Sequence, residues 1–102
     1  MHTYQLKVIT AGITRVYPLV TVPDAISQGD TWLPGLDMPD AVASEIDALG
    51  LWNELPLYAY AEGEATAGQW EDADTGCITG TWEILMDNHS ATFAEIEASF
   101  YD

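Results

Sequence analysis

Fixed positive charge is nearly absent from this chain. Lys7 and Arg15 are its two basic side chains, against 17 Asp and Glu that all fall between Asp24 and Asp102, and the formal net charge is −15. A surface of that sign repels nucleic acid and anionic membrane, so direct binding to either is excluded and a basic partner is favoured. Most of the carboxylates have no cation of their own chain to pair with. Two of them about 6.7 Å apart cost each other roughly 0.6 kcal/mol even at the dielectric of water, so tolerating many such pairs points to a use for the field itself.

Cysteine is almost as scarce. Cys77 stands alone, which rules out an intramolecular disulfide and suits a reducing compartment. With His2 and His89 as the two histidines, the soft ligands and nucleophiles stand at positions 2, 77 and 89, without the local pair spacing of a zinc site or the arrangement of a catalytic triad. A glycine-rich phosphate loop is also missing. Asp72-x-Asp74 with Glu83 copies part of a calcium-loop spacing, but Cys77 occupies the sixth position, where the sharp turn needs glycine. No cofactor, metal site or enzymatic activity is expected. No run reaches about 18 apolar residues, and the N-terminus shows no basic segment leading into an apolar one, so a cytoplasmic protein without membrane association is expected.

What is present is the material of a core. Hydrophobic residues make up 48% of the chain and include four Trp, five Tyr and two Phe, a content that disordered acidic tails lack. A chain of 102 residues makes one domain, spanning 1–102, and is long enough to bury roughly two-thirds of its unfolded surface.

Tyr4, Leu6 and Val8 alternate with Thr3, Gln5 and Lys7, which predicts a half-buried strand ending at Ala11-Gly12. Ile13 to Val22 resumes the extended pattern, and Pro18 within it places that strand at an edge or a bulge. Residues 23–38, punctuated by Pro23, Gly29, Pro34 and Gly35, read as a loop, with Trp32 plugging that loop onto the core. A helix follows from Pro39 to Leu49, with Val42, Ile46 and Leu49 on its core face. Leu55 to Glu64 alternates again, and a strand pair is predicted on either side of Asp74-Thr75-Gly76, with Ile78, Trp82, Ile84 and Met86 facing the core. Thr92-x-x-Glu95 is a capping box that opens a C-terminal helix carrying Phe93, Ile96 and Phe100 on one stripe. The expectation is an α+β domain in the order ββαβββα, with an antiparallel sheet of about four to five strands, one central helix and a short C-terminal helix.

Two acid groups stand out. Glu62, Glu64, Glu71, Asp72 and Asp74 surround the predicted hairpin, and carboxylates at i and i+2 of a strand stand about 6.7 Å apart on one face, close to two nucleic-acid rises of 3.4 Å. Tyr60 and Trp70 lie among them as candidate aromatic anchors of an interface whose charges speed association. The second group centres on Asp40, Asp47 and Glu54. Asp40 is explained by the helix dipole, whereas Asp47 lies near the C-terminal end, where a negative charge is unfavourable, and is the better candidate for contact with a partner. The competing view of both groups is a solubilising face.

In size, charge and lack of catalytic motifs the chain resembles the small acidic inhibitors of the anti-CRISPR and anti-restriction type that bacteriophages and mobile elements deploy against host nucleases, several of which mimic DNA. The resemblance implies a monomer or homodimer, acting in the host cytoplasm, that occupies the basic nucleic-acid-binding surface of a CRISPR effector subunit or a restriction enzyme. An immunity protein neutralising a toxin nuclease is the alternative, and a phage structural or assembly protein is a third.

Overall fold

The computed structural model describes residues 2–49, 66–72 and 74–100. Strands β1 (Tyr4–Thr10), β2 (Ile13–Gln28) and β3 (Thr31–Asp37) precede helix α1 (Asp40–Ala48). After it come β4 (Ala67–Glu71), β5 (Ile78–Met86), the two-residue β6 (His89–Ser90) and helix α2 (Phe93–Ser99). All pairings are antiparallel, in the order β3-β2-β1-β5-β4, with β6 added to β5. The domain is α+β, as the sequence pattern predicts. The expected strand at Leu55 to Glu64 falls outside the described residues.

The period-two pattern of β1 sets the inner face of the sheet. Tyr4, Leu6 and Val8 are buried and stand in register with Leu19 on β2 and with Ile84 and Trp82 on β5. Val42 and Ile46 of α1 and Ile96 of α2 join this cluster. Leu6, Val8, Ile46, Ile84 and Ile96 are completely buried, and each such side chain stabilises the fold by about 1.5–3 kcal/mol relative to exposure. The capping box at α2 forms as read: the Thr92 hydroxyl accepts from the Glu95 N–H at 3.2 Å, and the Glu95 carboxylate accepts from the Thr92 N–H at 3.1 Å.

Two tryptophans are fitted to this face by two glycines directly across from them. Gly68 pairs with Trp82 and Gly80 with Trp70. A Cβ on Gly68 would lie 2.7 Å from the Trp82 indole nitrogen, and one on Gly80 would lie 2.8 Å from Thr10 Cγ2 and 3.0 Å from the Ile9 carbonyl oxygen. Each ring therefore lies where a side chain on its cross-strand neighbour would be.

The segment expected to be a loop is instead a hairpin. β2 runs on to Gln28 and returns through Gly29-Asp30 as β3, Gly29 supplying the positive φ of 65° that a two-residue turn needs at its first position. The prolines that argued against strands sit where the ladder is broken. Val22 pairs with Gly35 and Ile26 with Leu33, so residues 23–25 face Pro34 alone across a register shift. No ladder hydrogen bond is required there, and the missing N–H groups of Pro23 and Pro34 cost nothing.

Pro18 follows the same logic. The two-residue turn Ala11-Gly12 makes Thr10 and Ile13 a hydrogen-bonded pair, and counting back by alternation leaves Gln5 and Pro18 as a non-hydrogen-bonded pair. The Pro18 nitrogen thus points away from β1, toward the side that β3, paired only from Val20 onward, leaves open among the described residues.

Two expected core residues are corrected. Ile78 is 57% exposed, because the register shifts between Trp70 and Glu71 and pairs Ile78 with Glu71 beyond the last core layer. Trp32 is 59% exposed, because the segment that was to fold it onto the core is a strand pair leading away from it.

Candidate partner-binding surface

The β4–β5 connection is built by one of the predicted acids. Asp72 Oδ1 accepts from the backbone N–H of Asp74 at 2.7 Å and of Thr75 at 3.1 Å. Its own N–H donates to the Cys77 carbonyl, and its carbonyl accepts from the Gly76 N–H, both at 2.8 Å. This is how an aspartate organises a turn, so the Asp72 carboxylate has a structural duty that Glu71 and Asp74 do not share. All three are exposed and lie together at this end of the hairpin.

Asp40 and Asp47 form a separate patch. Seven residues apart on α1, they project in nearly the same direction about 10 Å apart. Asp40 lies in the first turn, where the helix dipole favours it, whereas no basic residue stands in the last turn to offset Asp47. Both are exposed. Glu54, Tyr60, Glu62 and Glu64 lie outside the described residues.

Other carboxylates are engaged within the fold. Glu83 stands directly across from Lys7 with a 3.5 Å ion pair, and its other oxygen accepts from the Ser90 hydroxyl at 2.9 Å. Asp87, in the turn between β5 and β6, lies 2.6 Å from His2 Nδ1 and accepts from the Thr3 N–H at 2.9 Å. The hydrogen bond from His2, then that from Thr3, holds its carboxyl below the usual aspartate range. Arg15 donates to the Thr10 hydroxyl at 2.9 Å. Both fixed cations of the chain therefore lie on the β1–β2 hairpin, Lys7 paired with a carboxylate and Arg15 bonded to a neutral hydroxyl. Among the described residues no ion pair engages Asp24, Asp30, Asp40, Asp47, Glu71 or Asp74.

Tyr17, half-buried on the inner face, has its phenol pushed up, first by burial and then by the nearby Glu45 carboxylate. A hollow of about 610 Å³ beside Pro23, Pro34 and Phe100 is also lined by Tyr4 and Ser99. Their hydroxyls are 2.5 Å apart, and Ser99 donates onward to the Ile96 carbonyl at 2.6 Å, which leaves the serine proton committed to the helix. Among the described residues no group of three His, Cys, Asp or Glu is placed to hold a metal ion, and no helix is long and apolar enough to cross a membrane.

One expected anchor is corrected. Trp70 is 2% exposed and packs in the core cluster against Gly80, so its ring is out of reach of a partner. Among the described residues the exposed tryptophan is Trp32, which the pattern reading assigned to the interior. The signal for it was present in Gly29-Asp30, a two-residue turn sequence between the runs Ile26-Ser27-Gln28 and Thr31-Trp32-Leu33. Comparison with known protein families, curated proteins and solved structures gave no match to this chain.

Proposed function

We propose that this protein is an inhibitor that binds a basic nucleic-acid-binding surface of a host defence nuclease complex and, as an anti-CRISPR-like DNA mimic, blocks target DNA by steric and electrostatic occlusion. The observation that carries this reading is the one-sided charge: all 17 carboxylates follow Arg15, and no Lys or Arg does. On the fold, Asp40, Asp47, Glu71 and Asp74 support it, being exposed and free of ion pairs among the described residues. A protein that grips DNA gains much of its affinity from Lys and Arg placed against phosphates. Carboxylates fixed on a folded surface offer the same cations a substitute, and opposite fields accelerate the encounter.

The test is a variant carrying Glu62→Lys, Glu64→Lys, Glu71→Lys and Asp74→Lys, which spares Asp72 and the turn it holds. The unaltered protein should be retained by a CRISPR surveillance complex or a restriction enzyme at low salt, displaced by excess DNA and released at high salt. The variant should fold but not be retained. Retention indifferent to DNA, salt and charge reversal overturns the proposal. A chain that binds no basic protein and folds only in molar salt would make its acids a hydration device for a saline interior.

A further inference from the structure

The described tryptophans divide sharply. Trp70 and Trp82 are 2% and 4% exposed, whereas Trp32 is 59% exposed. Trp32 lies beyond the register break at residues 23–25 and 34, on an arm whose ladder consists of the three pairs Ile26–Leu33, Ser27–Trp32 and Gln28–Thr31. Those three pairs carry the turn roughly 10 Å past the break. Pro23, Asp24, Gly29, Asp30, Thr31 and Trp32 are all exposed, and the last core residue before the break on the β3 side is Leu36. The arm is thus a projection with a large aromatic ring near its end, a carboxylate at Asp30 in its turn and another at Asp24 in the break at its base.

The charge of the molecule selects what covers that ring. Lys7 and Arg15 are the only fixed cations in the chain, and they lie on β1 and on the part of β2 before the break, engaged with Glu83 and Thr10. A second copy would bring 17 further carboxylates against two fixed cations, one of them already paired with Glu83, and so adds net negative charge to the arm. A guanidinium suits it better, since it stacks flat on an indole while its N–H groups reach carboxylates beside the ring. We infer that the β2–β3 arm is an anchor that inserts Trp32 against arginine side chains of a basic partner protein, with Asp24 and Asp30 taking part of their charge. This rests on the inhibitor reading above and gives that surface the aromatic contact that Trp70 does not supply.

The experiment uses the full chain with nona-arginine and nona-lysine peptides as probes, read by calorimetry at low salt, together with sedimentation of the protein alone. The unaltered protein should prefer the arginine peptide. Trp32→Ala should lower the arginine-to-lysine affinity ratio about 2–5-fold, the size of a cation–π contact at an exposed site, while Trp32→Phe keeps part of it and neither substitution shifts the melting temperature. An unchanged ratio with both peptides still bound overturns the Trp32 anchor and leaves the acidic-surface reading standing. Failure of both peptides to bind removes both. A dimer that Trp32→Ala converts to monomer shows that a second copy covers the ring, and it also overturns the inference.

Discussion

At the scale of single residues, the core is governed by two substitutions to nothing: glycine opposite tryptophan, twice. Gly68→Ala and Gly80→Ala should each destabilise the protein. The new methyl at 68 would lie 2.7 Å from the buried indole of Trp82, and that at 80 would lie 2.8 Å from Thr10 Cγ2 and 3.0 Å from the Ile9 carbonyl oxygen. Overpacking of this kind costs about 1–3 kcal/mol, and chemical denaturation of the two variants checks it. These glycines also show what sequence reading misses. Trp70 was assigned to a partner and Trp32 to the core because each was judged by its neighbours along the chain. What decides burial is the residue across the strand, a pairing that no local pattern supplies. Asp72 was read correctly as an exposed acid, but its work on the turn depends on hydrogen bonds to residues two and three further on.

At the scale of elements, the legible parts were those in which one signal sufficed. The alternation of β1, the turn at Ala11-Gly12, the apolar stripe of α1 and the capping box of α2 all lie within a few residues of sequence, and each is found where the pattern puts it. The β3 strand was illegible because proline and glycine are strong breakers on average, and the exception requires both strands to break at the same level. Ile78 was misplaced for a related reason, since a bulge changes which residues face the core without changing the alternation that a reader counts. Pro18 carries a consequence for the element it sits in. With its nitrogen turned toward the side of β2 on which no described strand pairs with it, it withholds a donor that a strand from another molecule would need. Pro18→Thr should restore that donor without disturbing the pairing with β1, and the expected result is self-association that rises with concentration, followed by light scattering. A variant that stays as monodisperse as the parent would mean that the edge is guarded by something other than this proline.

At the scale of the whole molecule, a net charge of −15 opposes compactness. Added salt screens that repulsion over a Debye length of about 10 Å at 0.1 M and about 3 Å at 1 M. The melting temperature should therefore rise between 0.02 and 1 M sodium chloride, while retention on a basic partner falls over the same range. Calorimetric scans paired with binding at each salt concentration check the two opposite trends, and stability that stays flat or falls would show that the acids are already compensated inside the fold. The segregation of the two cations onto one hairpin adds polarity to this picture, because the molecule presents its acidic parts to any positive surface before contact is made. The break that sets the β2–β3 arm apart reaches further still. Because the described arm residues pack into no core layer, their sequence is under little constraint from folding. That tip can therefore change in length or in composition while the sheet and both helices stay as they are.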